Sequence, residues 1–252
     1  MKNALEVSHL TKDYGSFKLG DVSFTVPGGT IMGLIGENGA GKSTTIKCIL
    51  NLIRRDGGEI QVLGLDNLAD ERAVKAQVGV VLDETTFHDG LSAPQVGNIL
   101  ARLYPGWDGA LYQHYLEKFG LTSKKLVKTF YKGMKMKLSL AAAFAARPKL
   151  LILDEATSGL DPVVRDEILD EFLAFIQDEE HAILLSSHIT SDLEKVADYV
   201  TYLHRGRVAV SGAKDELLDT YGKLVCGRSE LERVDPALLV GVRSGQFGCE
   251  AL

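Results

Sequence analysis

The residues Gly36-Glu37-Asn38-Gly39-Ala40-Gly41-Lys42-Ser43 carry the clearest chemistry in this chain. They satisfy the spacing G-x-x-x-x-G-K-[ST] in full, after an apolar run, Ile31 to Ile35, and before a stretch long enough for a helix, Ser43 to Leu52. Glycines let the main chain curl until successive N–H groups converge on one anion. A helix that starts there adds its positive N-terminal end. Lys42 then brings a full charge to the β- and γ-phosphates of a nucleotide, and Ser43 brings a hydroxyl to Mg²⁺. The expected cradle is Gly36, Asn38, Gly39, Ala40, Gly41, Lys42, Ser43 and Thr44.

A second cluster completes such a site. Leu150-Leu151-Ile152-Leu153-Asp154-Glu155 is an apolar run ending in two carboxylates. Ligands of nucleotide-binding parallel sheets sit at the carboxyl ends of strands. Asp154 is expected to reach Mg²⁺, directly or through water, and Glu155 to polarise an attacking water. Taken alone, Asp154 is equally an ordinary helix cap; beside the cradle the metal assignment is stronger. His188 closes Leu184-Leu185-Ser186-Ser187-His188 and is expected to face the γ-phosphate.

These groups need a sheet to hold them. Short apolar runs at Leu5–Ser8, Gly20–Val26 and Thr30–Ile35 read as strands, with Pro27-Gly28-Gly29 as a turn. Glu59–Leu63 and Val78–Leu82 follow as strands. From Ser92 to Ala146 the β-branched runs vanish, and Leu, Ala and Lys recur at helical spacing, broken once at Pro105-Gly106. Strand and helix alternate again: strand Leu150–Leu153, helix Val163–Ile176, strand Ala182–Leu185, helix Ser191–Val196, then strands Val200–Leu203 and Val208–Val210. Such alternation implies an α/β fold with a mostly parallel sheet covered on both faces. The expected organisation is one P-loop NTPase domain over 1–222, with an N-terminal antiparallel β subdomain and a helical subdomain inserted at about 92–147. A short extension, 223–252, follows; Gly241–Gly248 alternates like one more strand, and the chain ends soon after it, which leaves open whether part of the C-terminal region is missing.

Composition narrows the partners. A net charge of −6 speaks against sequence-independent nucleic-acid binding. The cluster Lys124, Lys125, Lys128, Lys132, Lys135 and Lys137 lacks interleaved aromatics and reads as a solvated face. Cys48, Cys226 and Cys249 share no metal or redox spacing and read as free thiols in a reducing compartment. The longest apolar stretch, Leu138–Ala146, is too short to cross a bilayer and ends at Arg147-Pro148, and the first ten residues lack a signal-peptide core.

The ordered set of Tyr14, Gly36–Ser43, Phe130-Tyr131-Lys132-Gly133-Met134, Leu150–Glu155, Ser158-Gly159-Leu160-Asp161 and His188 resembles the ATP-binding subunits of ABC transporters. The likeness spans roughly residues 4 to 220. Tyr104-Pro105-Gly106-Trp107-Asp108 and Lys132-Gly133-Met134-Lys135 resemble stand-alone bacterial exporter-type ATPases. The resemblance implies ATP and Mg²⁺ as cofactors, hydrolysis coupled to transport, and a separate membrane-spanning subunit. It also implies a second nucleotide-binding subunit, the same chain or a homologue, and a place in the cytoplasm against the inner face of the membrane. It assigns adenine stacking to Tyr14 and contact with the opposite subunit's γ-phosphate to Tyr131 and Gly133. Asp161 would carry communication between subunits, with a plain helix cap as its rival role.

Two positions depart from that family's pattern. Its signature begins Leu-Ser-Gly-Gly, whereas this chain reads Phe130-Tyr131-Lys132-Gly133. A phenol holds its hydroxyl farther from the main chain than serine does, so an impaired site is expected, unless main-chain N–H groups do the binding and Tyr131 turns aside. Asp83 stands where many relatives carry Gln, and as an oxygen donor it is a further candidate Mg²⁺ ligand. Two other functions fit less of the chain: a soluble ABC-type ATPase of translation or DNA repair, and an ATP-binding regulatory subunit without turnover.

Overall fold

The computed structural model describes the chain except for residues 1, 84–86, 122–123, 237–238, 240, 246–247 and 252. Buried and exposed side chains alternate along the second strand, the period of a sheet with one covered face. β1 (Asn3–Asp13) pairs antiparallel with β2 (Lys18–Pro27). After β3 (Ile31–Gly36), β4 (Gly57–Val62) returns to the free edge of β1, and β5 (Leu65–Asp66) completes a sheet in the order β2-β1-β4-β5.

The central sheet collects β3, β6 (Val78–Val81), β7 (Leu150–Asp154), β8 (Ala182–Ser187), β9 (Tyr199–His204) and β10 (Arg207–Ala213) in the order β10-β9-β3-β8-β7-β6. From β9 to β6 every neighbouring pair is parallel. The unbroken apolar run of β7 follows from burial on both faces. Leu151 and Leu153 join a core with Phe144, Ile168 and Phe172, while Leu150 and Ile152 join another with Leu5, Val22 and Ile46.

Helices α1 (Lys42–Ile49) and α2 (Glu71–Lys75) precede β6. Among the described residues between β6 and β7, the regular elements are helical: α3 (Ala93–Leu100), α4 (Gly109–Lys118), a 3₁₀ turn at Val127–Thr129 and α5 (Lys132–Ala145). The ends of these helices are set by local side chains. Gln95 accepts the Ser92 N–H (2.9 Å) at the start of α3. Asp108 caps α4 by accepting from Leu111 N–H (2.8 Å), and that bond with the Arg147 guanidinium holds its carboxyl below the usual range. After β7 come α6 (Pro162–Phe175) and α7 (Thr190–Val196).

The chain divides into two compact units, Met1–Ser211 and Gly212–Leu252. The boundary by compactness falls before α8 (Lys214–Thr220), earlier than the one near 222 at which the sequence pattern weakens. The second unit contains β11 (Leu224–Cys226), α9 (Arg228–Leu231), β12 (Val242–Ser244) and β13 (Cys249–Ala251), joined as an antiparallel sheet β11-β13-β12. The strand expected over Gly241–Gly248 is Val242–Ser244 here, and residues 246–247 lie outside the described residues. Among the described residues, no helix is long and apolar enough to cross a membrane.

Candidate functional site

Parallel register brings the chemistry together. Ile35 lies opposite Ser187, Asp154 opposite Ser186 and Leu153 opposite Val81, so the carboxyl ends of β3, β8, β7 and β6 share one edge of the sheet. The loop from β3 to α1 curls over that edge. Gly41 sits at φ 111°, and a Cβ there would lie 2.5 Å from Leu19 Cδ2, so only glycine fits at the turn into α1. The Gly206 N–H donates to the Ala40 carbonyl (3.0 Å) and Thr45 Oγ1 donates to the Gly41 carbonyl (3.0 Å), pinning both ends of the turn.

Lys42 is 6% exposed, yet its ammonium is not stranded. Nζ donates to the Gly36 carbonyl at 2.7 Å and lies 3.6 Å from Glu155 Oε1. Its partners are therefore oxygen acceptors, the atom type that phosphate also offers. Asp154 is buried at the end of β7, and its carboxylate accepts the Ser186 hydroxyl. Glu155 follows in the left-handed region at φ 54°, a conformation costing a non-glycine residue about 1–3 kcal/mol. Its N–H donates to the Ser186 carbonyl (3.1 Å), which holds the strained turn in place. His188 Nδ1 lies 2.6 Å from Glu155 Oε2, so the ends of β7 and β8 meet through these two side chains.

An open cleft of about 550 Å³ lies between these groups, lined by Asn38, Gly39, Gly41, Lys42, Ser43, Thr44, Asp83, Asp154, Glu155 and His188, with Phe17, Glu37 and Ser158. Gly36 and Ala40 are buried behind that lining. The structure thus gathers the cradle, both carboxylates and the histidine in one place.

Other expected residues stand elsewhere. Tyr14 is half-exposed, lies under the Lys12 ammonium (5.4 Å from the ring centroid) and does not line the cleft. Phe17, which sequence reasoning passed over, does line it, beside Gly41. No local spacing marks it, because its neighbour Gly41 belongs to a different stretch of the chain. Tyr131 is 69% exposed at the start of α5, its ring edge 3.1 Å from where a Gly133 Cβ would stand. The ring folds back over that glycine, so a Cβ at 133 would require the ring to shift by a few tenths of an ångström. Asp161 caps α6 by accepting the Val164 N–H at 3.1 Å, the rival role allowed for it. Asp83 lines the cleft, but its carboxylate is 2.7 Å from Lys132 Nζ, which sequence alone did not couple to it.

Comparison with known proteins adds relatives. Residues 19–158 match the family described as ABC transporter. The chain is 35% identical over 211 residues to the bacitracin transport ATP-binding protein BcrA of Bacillus licheniformis, covering 82% of this chain and 69% of that one. It is 32% identical to the daunorubicin/doxorubicin resistance ATP-binding protein DrrA of Streptomyces peucetius, covering 92% of this chain and 74% of the other. A solved structure described as the ATP binding subunit of an ABC transporter superposes with a TM-score of 0.78 at 32% identity, over 85% of this chain and 91% of that one.

Proposed function

The chain belongs to the ABC transporter family as an ATP-binding and ATP-hydrolysing subunit that drives a membrane transporter, and from that premise we propose how its residues divide the work. Main-chain N–H groups of residues 38–44 and the Lys42 ammonium hold the triphosphate, and Glu155 orients and deprotonates the attacking water. His188 fixes the Glu155 carboxylate through its 2.6 Å contact and reaches toward the terminal phosphate. The single observation that carries this reading is the convergence of Lys42, Asp154, Glu155 and His188 on one cleft at the strand ends.

The donor set suits magnesium. The Ser43 hydroxyl and the Asp154 carboxylate are hard oxygen ligands lining the same cleft, and Mg²⁺ held there would neutralise charge on the phosphates. Asp83 is given no metal role in this reading, since its Oδ1 already pairs with Lys132 Nζ at 2.7 Å.

Tyr131, Gly133 and Asp161 stand outside their own cleft, which supports a role against the nucleotide of a second subunit, a copy of this chain or a homologue. Tyr14 is proposed to meet adenine beyond the mouth of the cleft. ATP held between two subunits would favour their closed pairing by mass action, and hydrolysis would reopen it.

The membrane subunit is supplied by a separate chain, and we place this one on the inner face of the membrane. An apolar groove of about 230 Å³ supports a docking point, with Leu50, Leu52, Val80, Leu82 and Tyr104 in its wall. Leu52 is 55% exposed, a large apolar side chain left for a partner to cover. Export is the direction proposed, supported by the relative named for daunorubicin/doxorubicin resistance. Co-purification from detergent extracts tests the reading: the wild-type chain should bring down a polytopic membrane protein. Leu52→Asp should lose that protein while ATP affinity stays within about twofold, since the groove lies apart from the phosphate cradle. Recovery of the wild-type chain with no membrane protein would contradict the assignment.

One observation favours slow turnover. Tyr131 puts an exposed phenol where the family carries a serine hydroxyl. Restoring a hydrogen bond to a charged phosphate is worth about 1.5–3 kcal/mol, so Tyr131→Ser should raise steady-state hydrolysis by about ten- to hundredfold. No increase would mean that Tyr131 turns aside and the main chain does the binding.

A further inference from the structure

The two departures from the family pattern touch each other. Asp83, which follows β6, and Lys132, the first residue of α5, form an ion pair at 2.7 Å although 49 positions apart. Neighbouring contacts hold the same two stretches together. Lys135 Nζ lies 3.6 Å from Asp89 Oδ1, Lys128 N–H donates to the Asp89 carbonyl (3.1 Å) and Val127 N–H to the Leu91 carbonyl (2.8 Å).

Each member of the pair is unfavourable alone. A cation at the first position of a helix opposes the positive end of the helix dipole, and α5 has no acidic residue in its first turn. A carboxylate at position 83 adds negative charge to the lining of a cleft that must receive a triphosphate. Joined, each offsets part of the other's cost.

We propose that Lys132 is a positioning residue for nucleotide binding: its ammonium holds the Asp83 carboxylate and cancels that charge at the cleft, so that the two act as one neutral unit. The proposal rests on the nucleotide reading of the cleft, and it gives this chain a determinant of ATP affinity in place of the glycine and glutamine expected from the family. It also makes Asp83 a charge to be neutralised and not a metal ligand.

The test is titration of the full chain with a non-hydrolysable ATP analogue, with and without Mg²⁺. Lys132→Ala should weaken metal-free binding roughly three- to tenfold, the scale of one partly screened charge beside a triphosphate. The loss should be smaller for the less charged magnesium complex and should shrink as salt rises. Lys132→Arg should bind like the wild-type chain. Adding Asp83→Asn to Lys132→Ala should return affinity to within about twofold of wild type, because the uncompensated charge is gone. A purely structural strap would not be repaired by removing its other half, so a double variant as weak as Lys132→Ala overturns the proposal. Tighter magnesium-dependent binding by Lys132→Ala also overturns it, since the freed Asp83 would then be a ligand. A wild-type chain without nucleotide affinity would defeat the function reading itself, a result distinct from either.

Discussion

Glu155→Gln is expected to stop ATP turnover while ATP binding persists. Glu155 is the one carboxylate of the cleft contacted by both Lys42 and His188, at 3.6 Å and 2.6 Å, and it is held in a strained turn by Ser186. Glutamine keeps the shape of the side chain and removes its capacity to take a proton. A positioned base contributes about 10²–10⁴ in rate, so phosphate release should fall by that factor. Equilibrium binding of ATP should persist and tighten somewhat, because the substitution removes a negative charge that lies 3.6 Å from Lys42 Nζ. Phosphate release measured beside nucleotide binding on the same preparation separates these effects. A variant that hydrolyses ATP as fast as its parent would move the base to another group, with Asp154 or His188 the next to test.

Lys42→Ala should act on the preceding step. Lys42 is the only lysine or arginine lining the cleft among the described residues, and it is nearly inaccessible to solvent. Charge-assisted bonds from such a group contribute about 1.5–3 kcal/mol, so affinity for ATP should drop on the order of a hundredfold. The fold should tolerate the change, since the loop is also held by Gly206 and Thr45, and a thermal melt close to wild type would show that. Unchanged affinity with an intact fold would remove Lys42 from the cradle.

These groups differ in how plainly the sequence announced them. Gly36–Ser43 was legible because the loop makes its own geometry from local residues: glycine at 41 permits the left-handed turn, and the lysine follows one step later. Leu150–Glu155 was legible because a strand covered on both faces needs an unbroken apolar run, and polar residues at its end must lie at the sheet edge. Short elements escaped. β5 has 2 residues, and α2 buries only Val74, too little to show a period. α8 buries no residue at all, so nothing in its pattern marked a covered face. Phe17 and the Asp83–Lys132 pair escaped for a different reason: their roles depend on contacts between distant stretches, which no local spacing records. Tyr131 shows the reverse, a local oddity whose consequence depends on what a second subunit brings near it.

Equilibrium binding of ATP to the purified wild-type chain tests the central claim most directly, with and without Mg²⁺ and with Lys42→Ala as the blank. The account predicts saturable binding that weakens when a chelator removes magnesium and falls on the order of a hundredfold in the variant. A folded wild-type chain whose nucleotide affinity is absent, or indifferent to both magnesium and Lys42, would contradict it.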